Sequence, residues 1–369
     1  MPLPVPGRGR SILSDGRILD MPLEKTSCME CGLVSPLKPI DATAVTNVFE
    51  DSYALSAASP AADNARAVAY AEFLDATLPP AERVLEVGCG SGNLLKALEN
   101  LWPTVAFLGV DPALSQGAAD SERIKYRRSF CDDMATLVNG STFDLIFSVN
   151  VIEHLPSPQS FFSLASDLLS PDGQLAVICP AAMPPNLELL FHDHLYTFSS
   201  DALSISASAC GFVKTSGIDQ LSRFGDFQLA IFSRAPNKSV NSLHIMRRDA
   251  RGLAREREAY LHAWTTLDKT LLERINRNTK VAIFGAGQMA ALLRVYASRL
   301  WERVELLLMD NISDAWYLGK PVLSYSSQKN LMTEYLVVVA TAPGTQARVV
   351  ERLTSDGIAT VCFNDIIPN

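Results

Sequence analysis

Two stretches of this sequence bring together residue types that can do chemistry. The first is FHDHLYTFS, residues 191–199. The chain has only five histidines, and this stretch places two of them, His192 and His194, on either side of Asp193 between aromatic residues. An imidazole titrates near working pH, so either ring can act as a general base. A neighbouring carboxylate can orient that ring or stabilise its cation. The second stretch is EVGCGSGN, in which Glu86, Gly88, Gly90 and Gly92 follow an apolar run and precede a helical one. Without Cβ atoms the backbone there can turn tightly and approach a ligand closely, and the helix start offers unpaired N–H groups. Asp111 ends the next apolar run, placed to accept hydrogen bonds from a ribose diol. Blander readings stand beside these. The glycines can simply make a turn, and Asp111 can simply end a strand. One histidine can pack while the other caps the helix near SSDALSISA. The His-x-His spacing also suits a metal pair, but no third ligand stands out.

Both stretches need elements to position them. Residues 46–235 alternate helical and strand patterns. Helix NARAVAYAEFLDATL leads into the buried strand RVLEVGCGSGN; helix LLKALENLW and strands AFLGVD, RIKYRR and FDLIFSV follow. SPQSFFSLASDLL reads as a helix capped by Ser157 with Pro158 in its first turn. It is expected to stop at PDG, with Gly173 left-handed. QLAVICP is a strand, and FVKTSGIDQL with DFQLAIFSR reads as an antiparallel edge pair. Apolar strands separated by helices need crossover connections, so the block is expected to be a parallel α/β sheet. Ligands bind such sheets beyond the carboxyl ends of the strands, near the switch point. FHDHLYTFS follows the fifth strand through the loop AAMPPNLELL and is expected to lie there. Residues 236–275 read as a helical linker, with Tyr260, Trp264, Leu267 and Leu271 at helical spacing. Residues 276–369 restart the alternation with KVAIFGAG, VELLLMDN, YLVVVATA and TVCFND, which predicts a second, Rossmann-like α/β domain. Residues 1–45 are rich in Pro and Gly and hold the Cys-x-x-Cys of Cys28 and Cys31.

Bulk properties narrow the function classes. A net charge of −8 argues against a general nucleic-acid or anionic-membrane binder. No apolar run is long enough to span a bilayer, and MPLPVPGRGR lacks the apolar core of a signal peptide. Seven cysteines at scattered spacing fit a reducing cytoplasm better than a disulfide framework. Oligomeric state is not legible.

The glycine turn serves either a dinucleotide or S-adenosylmethionine. The dinucleotide fingerprint fails at its last position, Asn93. A G-x-G-x-G turn preceded by an acidic residue instead resembles class I S-adenosylmethionine-dependent methyltransferases, in motif order from Val84 to Pro180. That resemblance implies S-adenosylmethionine held by Glu86, Gly88, Gly90, Gly92 and Asp111, with Asp132 or Asp133 near the adenine amino group and Asn150 also at the cofactor. Glu153 and His154, in NVIEHLP, are read as packing or cofactor-wall residues. FHDHLYTFS is similar to the E-H-L-x-Y-F-S segment of nucleotide-sugar C-methyltransferases, which methylate a carbon beside a ketone in a deoxysugar. Those proteins also carry an N-terminal zinc module ending in C-x-x-C-G-L-V and a Rossmann-like C-terminal domain. CMECGLV and the region from KVAIFGAG onward are the counterparts here. The resemblance implies His194 as base, Asp193 in place of a glutamate and Phe191 in place of a frequent tyrosine. His192 and Tyr53, the latter in FEDSYALSAAS, are further catalytic candidates. A tetrahedral structural zinc wants four protein ligands. Cys28 and Cys31 supply two, so a remnant knuckle without metal is expected.

In the last block Gly285, Ala286, Gly287 and Ala290 match G-x-G-x-x-A, with Asp310 about 20 residues on. The same turn occurs in sugar-nucleotide-binding domains, where a helix N-terminus holds a diphosphate. Gly285, Gly287 and Asp310 are therefore read as substrate-binding. A structural domain without ligand ranks second and a nicotinamide cofactor third. The whole reads as a methyltransferase acting on a carbon of a nucleotide-linked keto-deoxysugar or glycan precursor. Its alternatives are O- or N-methylation of a glycan or small metabolite, an NAD-dependent oxidoreductase, and a non-catalytic binding protein.

Overall fold

In the computed structural model, which describes residues 1–38, 60–79, 81–114, 118–131, 141–221, 224–235, 249–310, 315–362 and 365–367, the central apolar runs line up as one seven-stranded sheet. Two small antiparallel pairs come first: β1 (Ser11–Ile12) with β2 (Ile18–Leu19), and β3 (Lys25–Ser27) with β4 (Val34–Pro36). Helix α1 (Pro60–Thr77) leads to β5 (Arg83–Val87), and α2 (Asn93–Leu101) to β6 (Ala106–Val110), β7 (Ile124–Arg127) and β8 (Phe143–Val149). Helix α3 (Pro158–Leu168), β9 (Leu169–Pro180), α4 (Ser200–Ser208), β10 (Phe212–Ile218) and β11 (Phe227–Arg234) complete the block. The strand order is β10-β11-β9-β8-β5-β6-β7, with β10 and β11 as the expected antiparallel pair. β5 takes β6 on one side and β8 on the other, both parallel to it. The winding reverses there, which leaves a crevice beyond the carboxyl ends of β5 and β8.

Alternation along the strands explains the two layers of packing. Leu85 and Val87 enter a core with Phe161, Phe162 and Leu203 on one face. Val84 enters another with Leu74, Leu95 and Phe107 on the opposite face. Ser157 caps α3 as expected, accepting the Ser160 N–H. Its end differs from expectation. The helix passes straight into β9, and Gly173 lies inside that strand with no left-handed backbone. Pairing with β8 resumes at Gln174 after a register shift, so PDG is a strand irregularity rather than a helix stop.

Helix α5 (Ala250–Glu273) buries Tyr260, Trp264, Leu267 and Leu271, the stripe read from spacing. Beyond it, β12 (Lys280–Phe284), α6 (Gln288–Tyr296), β13 (Val304–Met309), β14 (Ala315–Tyr317), β15 (Lys320–Ser324), β16 (Tyr335–Val339) and β17 (Ala359–Cys362) form a six-stranded sheet of order β14-β15-β13-β12-β16-β17. Only β14 runs antiparallel. Trp264 and Leu267 share one core with Ile12, Leu23 and Val34 of the N-terminal segment and with Ile283 and Leu292 of this sheet and its helix. Arg257 of α5, fully buried, donates to Ser27 Oγ (3.2 Å) and to the Gly32 carbonyl (2.6 Å). The N-terminal segment also touches the loop after β9, through bridges from Ile12 to Phe191 and from Val34 to Thr197.

Candidate active site

The chain leaves β5 through Gly88 (φ 78°), Gly90 (φ 52°) and Gly92 (φ 73°) before α2 begins. A Cβ on Gly88 would fall 2.2 Å from Val151 Cγ2, whereas one on Gly90 would have no atom within 4 Å. The first glycine is needed for packing; the second leaves bare backbone facing open space. Asp111, just beyond β6, accepts the Gly90 N–H at 2.8 Å and the Ala113 N–H at 2.7 Å. Burial nevertheless holds its carboxyl above the ordinary range. Glu86 is 2% exposed. Burial, then the charge of Asp111, pushes its carboxyl well up. Its Oε2 meets no hydrogen-bond partner among the described residues, and neither does Asn150 Oδ1 at the end of β8. Asn150 lines a cavity of about 300 Å³ with Arg66, Ala69, Tyr70, Phe224 and Phe227. Bare backbone, unpartnered buried acceptors and a carboxylate at the crevice fit S-adenosylmethionine, which offers an ammonium, a diol and a sulfonium cation.

The loop after β9 builds a second cluster. His154, from the turn after β8, and His194 stand edge to face with ring centroids 4.5 Å apart. His154 Nδ1 lies 2.9 Å from the Asp193 carbonyl oxygen and 3.7 Å from Asp193 Oδ2. Burial, then the charge of His194, lowers the His154 pKa to about 4, so this ring is neutral at working pH. His194 Nδ1 lies 2.9 Å from Glu188 Oε2, an ion pair whose geometry falls short of a hydrogen bond. Burial works to lower the His194 pKa, but Glu188, with Asp193 and Glu153, outweighs it and raises the ring above its ordinary value. Asp193 is opposed by burial too. Yet His154, His194 and two hydrogen bonds from Ser14, N–H at 2.8 Å and O–H at 2.6 Å, keep its carboxyl below the ordinary range. Glu153, 1% exposed, keeps both oxygens without a hydrogen-bond partner among the described residues, and burial pushes it up to about 8. His192 turns away: its Nδ1 meets Ser11 Oγ at 2.9 Å.

The expected residues are thus distributed unevenly. Glu86, Gly88, Gly90, Gly92, Asp111 and Asn150 gather at the crevice. Asp193 and His194 meet His154, expected as a packing or cofactor-wall residue, while His192 leaves the group. Among the described residues, the one His/Cys/Asp/Glu group close enough to share a metal ion is His154, Asp193 and His194, not the His-x-His pair. Tyr53, Asp132 and Asp133 lie outside the described residues. Cys28 and Cys31 are free thiols, half-buried, and among the described residues they join no group of three close enough to share a metal ion. In the C-terminal turn Gly285 is left-handed (φ 122°) and Gly287 borders open space. Asp310, expected to bind substrate, pairs with Arg352 at 2.8 Å. That guanidinium lies over the Phe284 and Tyr325 rings. Gln288, the first residue of α6, donates to the Ser14 carbonyl at 3.3 Å, which brings this turn to the segment that grips Asp193. Ser14, Lys25, Glu188, Arg66 and Tyr70 join the site only through the fold. No local pattern marks them, although the Glu-His pair of NVIEHLP was a usable signal for His154.

Seven strands in this order, with a bare glycine turn after β5 and a carboxylate after β6, define the class I methyltransferase fold. Comparison with known proteins agrees: residues 62–216 match the family model described as "Methyltransferase domain". A ubiquinone biosynthesis O-methyltransferase of Xanthomonas axonopodis pv. citri (strain 306) is 33% identical over 110 residues, 28% of this chain and 46% of that protein. A trans-aconitate 2-methyltransferase of Variovorax paradoxus (strain S110) is 30% identical over 126 residues, 34% of this chain and 47% of that one. The chain therefore spans about half the length of the curated relatives it matches. Among solved structures, an O-methyltransferase family protein from Burkholderia thailandensis aligns at 15% identity and a TM-score of 0.40, over 47% of this chain and 59% of that chain. No helix among the described residues is long and apolar enough to cross a membrane.

Proposed function

We propose that this protein is an S-adenosylmethionine-dependent methyltransferase that methylates a carbon of a nucleotide-linked keto-deoxysugar or glycan precursor, with His194 as the base. One observation carries the reading: the glycine turn with Asp111 and the His194 loop both lie at the carboxyl ends of the central strands. The bare backbone at Gly90, the buried acceptors of Glu86 and Asn150, and Asp111 would hold the donor. Bound there, S-adenosylmethionine supplies an electrophilic methyl group on a sulfonium. A carbon beside a ketone must lose a proton before it can attack. His194 in its neutral form takes that proton, and Glu188 stabilises the resulting imidazolium. Asp193, fixed by Ser14, holds the loop and keeps the His154 ring in place. The C-terminal glycine turn, joined to Ser14 through Gln288, would take the nucleotide diphosphate.

The test is deuterium wash-in next to the ketone of candidate 4-keto nucleotide sugars, followed by mass spectrometry after addition of the donor. His194→Ala should abolish both exchange and methylation while leaving donor binding intact. Exchange that survives the substitution unchanged removes His194 from its role. A second reading, O-methylation of a small metabolite, is supported by the apolar cavity walls of Tyr70, Phe224 and Phe227, which suit a flat acceptor; Arg66 beside them is already paired with Asp63 at 3.1 Å. Methyl transfer to an aromatic hydroxyl acid, without any ketone, would favour it.

A further inference from the structure

The His194 loop is held by a segment from outside the central sheet. Ser11 meets His192, Ser14 grips Asp193, and Lys25 of β3 reaches the backbone of the loop itself. Lys25 is 4% exposed. Its Nζ donates to the Phe191 carbonyl at 3.0 Å and to the His194 carbonyl at 2.9 Å. Burying an ammonium is costly, and a methionine of similar shape would fill the same space without that cost. Asp193 and Glu188 offset part of the burial, which still lowers the Lys25 pKa to about 7. What the two hydrogen bonds supply is directional. Two carbonyls at the start and end of Phe191–His194 are fixed to one point, so the bond from the His194 backbone to its ring has one direction.

We infer that Lys25 is a positioning residue of the active site: its Nζ–H donors pin the Phe191 and His194 carbonyls and so keep the His194 imidazole against Glu188. The kinetic consequence rests on His194 handling the proton in methyl transfer; the positional claim does not.

The experiment uses the full chain with ¹⁵N-labelled histidine, wild type against Lys25→Met, and follows the His194 ring by long-range ¹H–¹⁵N spectra across pH. A ring that slips from Glu188 loses its raised pKa, so the His194 midpoint should fall by about half a unit or more. Removing a nearby cation without moving the ring would raise the midpoint instead. An unchanged or raised midpoint therefore overturns the proposal. Affinity for S-adenosylmethionine, by calorimetry, should stay within about twofold, while kcat on any accepted substrate should drop at least roughly tenfold. Lys25→Gln, which keeps donors without charge, should recover part of that loss. If Lys25→Met does not fold, the wild-type chain labelled instead with ¹⁵N-lysine decides: a hydrogen-bonded, exchange-protected ¹⁵Nζ signal is expected, and its absence overturns the clamp. A wild type that methylates no acceptor sinks the functional reading alone, because the His194 midpoint still judges Lys25.

Discussion

Asp111 spends both carboxylate oxygens on the N–H groups of Gly90 and Ala113, so it shapes the glycine turn as well as facing the crevice. Asp111→Ala should remove both effects. Calorimetry is expected to find the S-adenosylmethionine Kd raised by at least about tenfold, the equivalent of roughly 1.4 kcal/mol. An unchanged Kd would place the donor elsewhere. Glu153 makes a different prediction. Its carboxyl ordinarily titrates near 4.5 and in the fold near 8. Between those values the unfolded chain has lost a proton that the native protein keeps, so stability falls as pH rises through this window. One group contributes at most roughly 1.4 kcal/mol per pH unit. Glu153→Gln should therefore match the wild type near pH 4.5 and be more stable at pH 8, as measured by urea unfolding at both values. A wild type and variant that run parallel across the window would contradict the buried, protonated acid.

At the scale of elements, α4 is the clearest case of one residue serving two structures. Ser199 accepts the Ala202 N–H at 3.0 Å, capping the helix, and donates to the Cys31 carbonyl at 2.9 Å, tying on the Cys28–Cys31 turn. An N-cap serine is worth about 1 kcal/mol, and a buried carbonyl left without its donor adds to the cost. Ser199→Ala should lower unfolding stability by about 1–3 kcal/mol in denaturant melts. A loss no larger than that of Ser157→Ala, which only caps α3, would mean that the tie to Cys31 contributes nothing. The strands β5 and β8 carry one such device at their start, where Asp144 accepts the Arg83 N–H at 3.0 Å. Buried on both faces, they are held by packing, which is why their apolar runs were readable without knowledge of their neighbours.

At the scale of the molecule, the loop bearing His194 is a meeting point of three parts of the chain. The N-terminal segment binds it through Ser11, Ser14 and Lys25, the turn after β8 through His154, and the C-terminal domain through Tyr296. The Tyr296 hydroxyl donates to the Leu190 carbonyl at 2.6 Å, with both groups buried. Tyr296→Phe removes only that donor. It should cost about 1–3 kcal/mol and speed amide hydrogen exchange at residues 190–194, read by mass spectrometry. Exchange confined to its wild-type rate would show that the C-terminal domain does not steady the loop.

Much of this was legible in the residues themselves. The glycine turn, its acidic neighbours, the strand and helix periods and the buried stripe of α5 follow from local chemistry: missing Cβ atoms, cap side chains and apolar spacing. The spacing of the histidines also drew attention to the loop that carries His194, which the fold places against His154 and Glu188. What local chemistry could not decide was which distant groups share a charge environment. His154 and His194 are far apart in sequence but stand edge to face, His192 next door turns to Ser11, and Asp310 is already paired with Arg352. Gly173 failed for the same reason: β8 drew it into a strand where the tripeptide alone predicts a stop. Sequence spacing governs short-range backbone choices. Burial and pairing between segments, which set every shifted pKa in this site, exist only once the chain has folded.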